Sequence, residues 1–184
     1  MRNPIALLLS VLFAASLCIA TARADAKSDV LSAAKNFGAQ KSVHATINST
    51  KKNETFNVDM VEPNKLRGTA PQGFEFVMIG SNSWIKMNGT WHAYPAAAGA
   101  FKTEMEYARG SAFQKSVLTE CTVSDAGMSS ANGTPAHKYH LVCGKDGDTS
   151  DVWIANGLPV KLANANATIV WSNYNSVADI TPPM

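Results

Sequence analysis

Apolar positions recur along this chain with two periods. In residues 25–40, Val30, Ala33, Ala34 and Phe37 fall at helical spacing and make one apolar stripe, so a helix is predicted that inserts Phe37 into a core. From residue 42 the period drops to two. Val43, Ala45 and Ile47 alternate with His44, Thr46 and Asn48, and Phe56, Val58 and Met60 alternate with Thr55, Asn57 and Asp59. The two runs flank the polar turn Lys51-Lys52-Asn53-Glu54, which predicts a hairpin with one dry and one wet face. Pro63-Asn64 ends it, since proline cannot donate to a ladder.

Strands are expected next at 65–70, 74–79, 83–87 and 90–94, separated by Pro71-Gln72-Gly73, Gly80-Ser81-Asn82 and the strong hairpin signal Asn88-Gly89. The stretch 96–115 is alanine-rich and reads as one or two short helices, with Phe101, Met105, Ala108 and Ala112 near helical spacing. Strands are then expected at 117–126, 138–143, 151–155, 160–163 and 167–171, with a Gly/Ser/Asn-rich connection ending in Thr134-Pro135. Strands that follow one another through tight turns pair antiparallel, which excludes a Rossmann-type sheet. The expected fold class is α+β, mainly antiparallel β.

The first 24 residues have a different character. Arg2 precedes an apolar run over residues 5–20, and Ala22-Arg23-Ala24 supplies the small residues that a signal peptidase reads. Residues 1–24 are therefore expected to be a cleaved signal peptide and 25–184 a single mature domain in the periplasm. The run is short for a bilayer span, which needs about 20 residues. Cys18 raises a lipoprotein alternative, but Leu17 stands where a small residue is wanted. Of the 16 Lys+Arg in the chain, Arg2 and Arg23 lie in the leader, so the mature part balances its 14 Asp+Glu. A neutral chain without a basic cluster has no field to steer phosphates, so neither nucleic acid nor a polybasic membrane patch is expected.

Two cysteines remain after cleavage, Cys121 and Cys143, and an even count in an exported chain reads as one disulfide. If they face each other, the hairpin axis passes through Asn132, beside Gly133, where turn residues already place a reversal. That register pairs Val123 with Leu141 and Asp125 with Tyr139, and puts Thr122, Ser124, Lys138 and His140 on the other face. Closing such a loop stabilises by about 3 kcal/mol.

Catalytic motifs are missing: there is no Gly-x-Ser-x-Gly elbow, Walker loop or His-Glu-x-x-His. His137 and His140 lie three apart on a predicted strand and point to opposite faces. Asp146, Asp148, Ser150 and Asp151 look like the start of a calcium loop, but the central glycine is missing and Gly157 stands at position twelve. The expectation is no enzyme, no metal and no cofactor. Asn-x-Ser/Thr triplets begin at Asn48, Asn53, Asn88, Asn132 and Asn166; in a secreted eukaryotic chain they would suggest glycans, but with a bacterial-type leader they read as chance in an Asn-rich β protein.

What the chain does carry is large apolar side chains on one-sided strands. If the sheet curls over its helices and stays partly open, it encloses an apolar cleft. The residues expected to line it are Phe56, Met60, Phe76, Met78, Trp84, Phe101, Met105, Trp153 and Trp171. Methionine-rich walls adapt to varied apolar shapes.

The segments Pro63-Asn64-Lys65-Leu66-Arg67, Val77-Met78-Ile79-Gly80 and Trp84-Ile85-Lys86-Met87-Asn88-Gly89-Thr90-Trp91 with Pro95 resemble the first half of the LolA/LolB-like superfamily. Gly157-Leu158-Pro159-Val160-Lys161 and the run from Tyr174 through Asp179 to Pro183 resemble its second half. The resemblance, to a divergent member, covers nearly all of residues 25–184. It implies an unclosed β half-barrel wrapped over short helices, with residues 96–115 as the lid region and Arg67 in the stretch where carriers hold the lid. It implies a periplasmic carrier or binder of an acylated ligand, a lipid or lipoprotein, with no cofactor; a monomer is expected. The alternative is an envelope sensor or interaction module with a protein partner and no bound lipid.

Overall fold

The computed structural model describes residues 25–94 and 111–184, and the side chains of 25–94 and 115–184. The leader expected over 1–24 and the predicted cleft residues Phe101 and Met105 lie outside the described residues.

Helix α1 (Ala26–Gly38) opens the fold, with Asp25 capping it by accepting from the Lys27 amide at 3.2 Å. Its buried residues are Val30, Ala33, Ala34 and Phe37, the predicted stripe. Six strands follow: β1 (Ser42–Ser49), β2 (Glu54–Val61), β3 (Lys65–Ala70), β4 (Phe74–Ile79), β5 (Asn82–Met87) and β6 (Thr90–Ala93). Then come α2 (Ser111–Glu120), β7 (Cys121–Ala131), β8 (Thr134–Cys143), β9 (Asp148–Ala155), β10 (Leu158–Asn164) and β11 (Ala167–Ser172).

All eleven strands form one sheet in the order β6-β5-β4-β3-β2-β1-β11-β10-β9-β8-β7. Every neighbouring pair is antiparallel, so the sheet is two meanders joined where β1 meets β11. Strands β6 and β7 are its two ends and do not pair with each other. The sheet is therefore an unclosed half-barrel with both helices on one face, the α+β architecture expected.

Three of its hairpins turn on Asn-Gly. Asn88, Asn132 and Asn156 have φ of 52°, 51° and 52°, and the glycines that follow are also positive. Two successive positive φ values define the turn that suits the right-handed twist of a two-residue hairpin. Asn88 and Asn132 thus have a conformational role in the turns.

The disulfide Cys121–Cys143 is present, and the hairpin register is the one derived from it: Val123 opposite Leu141 and Asp125 opposite Tyr139. Two details differ from expectation. Residues 117–120 belong to α2, not to a strand, and β7 begins at Cys121. Val117 is completely buried against Val30 and Leu141, whereas Leu118 beside it is 54% exposed, so burial of one helical face overrides β-branched propensity. The expected connection before Pro135 is also strand. Strand β7 continues to Ala131 by way of a bulge between Asp125 and Met128, where the Gly127 amide donates to Asp125 Oδ1 at 2.6 Å.

Candidate ligand-binding cavity

Helix α1 is clamped along its length, and the clamps set the space beneath it. At its start, Lys27 Nζ donates to the carbonyls of Leu118 and Cys121 at 3.1 and 3.0 Å, satisfying free acceptors at the end of α2. Two residues on, Asp29 Oδ2 accepts from the Tyr139 hydroxyl at 2.9 Å. Near its end, Asn36 Nδ2 donates to the Gly157 carbonyl at 3.1 Å. Burial and then the Asp29 carboxylate push the Tyr139 phenol up, so the hydroxyl stays a donor. Phe37 closes the row, with its ring centroid 5.5 Å from Trp171 and 6.0 Å, edge-on, from Tyr174. The Tyr174 hydroxyl donates to the Pro159 carbonyl, and burial pushes its pKa up.

Between α1, α2 and strands β9 to β11 lies a cavity of about 700 Å³. That is within the roughly 300–1,000 Å³ typical of small-molecule sites. Its roof is Val30, Ala33, Ala34 and Phe37. Its floor is Val152, Ile154, Pro159, Leu162, Ile169 and Trp171. The opposite end is polar, built from Glu120, the disulfide, Asp148, Ser150, Asn164 and Asn166. Glu120 and Asp148 are the charged side chains among the described residues that line it. Part of this polarity is occupied with shaping the turn, since Asn164 Oδ1 accepts from the amides of Asn166 and Ala167 at 2.8 and 2.9 Å. One wall is greasy and the other end hydrophilic, which is an amphiphile's pattern.

The predicted lining residues divide into three groups. Trp171 lines the cavity. Phe56, Met60, Phe76 and Met78 share its concave face, but Met60, Phe76 and Met78 are packed into a core with Phe37, Val43 and Leu66, and half-buried Phe56 sits opposite Ile47. Trp84 and Trp153 require correction: both are on the outer face. Trp84 pairs with Val77 and Ala93 and alternates with the inward-facing Ile85. Trp153 alternates with the cavity residues Val152 and Ile154, and the Lys138 and Lys161 ammonium groups sit 5.0 and 4.6 Å from its ring centroid.

Trp153 is itself buried on the outer face in a small apolar cluster with Ala131, Ala136, Val160 and Ala163, and elsewhere that face carries paired charges. Asp59 accepts from His44 at 2.8 Å and Arg67 at 2.7 Å; Asp151 accepts from His140 and Lys138, each at 2.8 Å. Burial alone raises the Asp59 carboxyl, but Arg67 and His44 outweigh it and hold it below the ordinary Asp value; Lys138 and His140 do the same for Asp151. Arg67 is engaged with Asp59 on this face, away from the cavity. His137 and His140 point to opposite faces, and His137 instead meets Asp125 Oδ1 at 2.6 Å. No helix among the described residues is long and apolar enough to cross a membrane.

The fold is an open antiparallel half-barrel over short helices. Among solved structures it is similar to the Mycobacterium tuberculosis lipoprotein LppX, with a TM-score of 0.64 and 17% identity over 84% of this chain and 97% of that one. It is similar also to LprF from Mycobacterium bovis, at 0.69 and 14% over 86% and 96%. A third likeness is to the complex of Pseudomonas aeruginosa MucA/MucB, at 0.51 and 14% over 83% of this chain and 56% of that one. By sequence, no protein-family model and no curated protein matches the chain.

Proposed function

We propose that this chain is an extracytoplasmic binder or carrier of an acylated amphiphile, a lipid or the lipid part of a lipoprotein, acting as a monomer without a cofactor. The observation that carries the reading is the 700 Å³ space whose walls grade from apolar under α1 to polar beside the disulfide. The tail lies beneath Val30, Ala33 and Ala34, against Leu162 and Ile169. Each methylene moved from water into that space contributes about 0.8 kcal/mol. The head rests among Asp148, Ser150, Asn164, Asn166 and Glu120. Two carboxylates there disfavour a phosphate or carboxylate head, while hydroxyl or amine donors find acceptors. The likeness in fold to LppX, itself called a lipoprotein, agrees with a place outside the cytoplasm. A sensor working through surface contacts alone has no use for an apolar-walled space of this size.

The test is organic extraction and native mass spectrometry of the full chain, expressed with its leader and purified from the periplasm. The expected result is a mature N-terminus at Asp25 and an acylated molecule bound at near one per chain. A lipid-free protein that also fails to take up a fluorescent fatty amphiphile overturns the reading.

A further inference from the structure

We propose that Phe37 is a bulkhead that sets the length of acyl chain the cavity accepts. This rests on the amphiphile reading and adds a specificity to it. Phe37 lines the large cavity and also a recess of about 20 Å³ on its other side, which Val43, Met60 and Ser42 share. A single side chain thus separates two spaces. Upstream of it, the roof is Val30, Ala33 and Ala34, small residues that let a chain pass. Phe37 is the first large one, and it is 6% exposed.

The ring cannot swing aside. Trp171 and Tyr174 hold it at 5.5 and 6.0 Å, and Tyr174 is tied to the Pro159 carbonyl. The helix turn that carries it is fixed by Asn36 to Gly157. Behind it stand Met60, Met78 and Leu66, all buried, so the wall is backed by packed core. A tail that enters from the polar end with its head at Asp148 therefore runs under α1 and stops at Phe37. Longer chains must coil or leave methylenes in water. Affinity then stops rising with length, because a methylene that remains hydrated contributes nothing.

The experiment is titration of the delipidated mature chain with monoacylglycerols of increasing length, from lauroyl through palmitoyl and stearoyl to arachidoyl, by competition against a fluorescent fatty amphiphile. For the unaltered chain, affinity is expected to rise about fourfold per added methylene and then reach a plateau. Phe37→Ala is expected to move the plateau to the next longer homologue, which gains about fifteenfold for its two extra methylenes, and Phe37→Leu, which frees room for about one, to raise that homologue about fourfold. Ile169→Ala, which widens the floor of the cavity, is expected to lower affinity for every chain without moving the plateau. If Phe37→Ala does not fold, Phe37→Leu still decides. A plateau that neither Phe37 variant moves overturns the bulkhead and leaves the carrier reading intact. Binding of none of the series overturns both.

Discussion

The two meanders of this sheet are built on the same alternation but are filled differently. In the first, the concave face carries Met60, Leu66, Phe76 and Met78, which pack against Phe37 to leave no comparable space among the described residues. Gly68 makes this possible: a Cβ there would lie 2.3 Å from Phe76 Cζ, so the missing side chain is where the ring rests. In the second, Val30, Val117, Tyr139, Leu141 and Val152 pack together over β7 to β9, but above Leu162 and Ile169 the helix presents alanines, and the gap stays open. A hollow thus needs no special residue. It arises where a helix held at a set height by polar clamps lacks the side-chain volume to reach the sheet.

Truncation on each side should separate the halves most sharply. Phe76→Ala in the packed half should cost about 3–5 kcal/mol, because the neighbours cannot collapse into the void. Ile169→Ala should cost no more than about 2 kcal/mol, since one side of Ile169 already faces space and has fewer contacts to lose. Chemical denaturation of both variants measures the difference; equal losses would erase the distinction. Next in size, Cys121→Ser should destabilise by about 2–4 kcal/mol and act mainly on the hollow half, where the bridge joins the end of α2 to β8 beside the cavity mouth. Hydrogen exchange should show faster opening in β7 to β9 than in β2 to β4. Gly68→Ala should cost about 1–3 kcal/mol by forcing the Phe76 ring off its seat, read as a lower midpoint in urea, with amphiphile affinity unchanged.

The smallest effect concerns what the halves share. Asp59 backs the packed half and Asp151 the hollow one, each beneath a histidine and a second cation. Both carboxyls titrate below the ordinary Asp value when folded, so each contributes stability that is full above that value. The contribution is lost as pH falls through the lower, folded value. Exposed pairs of this kind are worth about 1 kcal/mol or less. Asp59→Asn should flatten the acid side of the stability curve by that order, and Asp151→Asn similarly. A steep effect of one variant alone would mean the outer faces differ as the inner ones do.

Much of the fold is legible in the order of residues, for a physical reason. Alternation and turn chemistry are local, so the α1 stripe, the strands and the Asn-Gly hairpins follow from short windows. The hairpin register around Cys121 and Cys143 follows from counting, and only Gly127, which adds one residue on β7, displaces its far end. The start of β7 is not legible, because Val117 is β-prone but buried as part of a helix. The cleft is less legible. Val152, Trp153 and Ile154 are all apolar, so parity is invisible there, and choosing the largest side chain selects Trp153, which faces outward between two lysines. Trp84 fails for the same reason beside Ile85. Nothing local announces that Ala33 and Ala34 line the cavity, because that depends on where Lys27, Asp29 and Asn36 anchor the helix.

The joining of the meanders at β1 and β11 has a topological consequence. The free rims of the sheet come from mid-sequence, and the strands nearest the two termini are stitched together at its centre, with Ala45 opposite Trp171 and Ile47 opposite Ile169. A nick between β6 and α2 would leave two fragments, each with its own uninterrupted set of hairpins. The central β1–β11 ladder, together with α1 clamped across to α2, Tyr139 and Gly157, would hold them as one body.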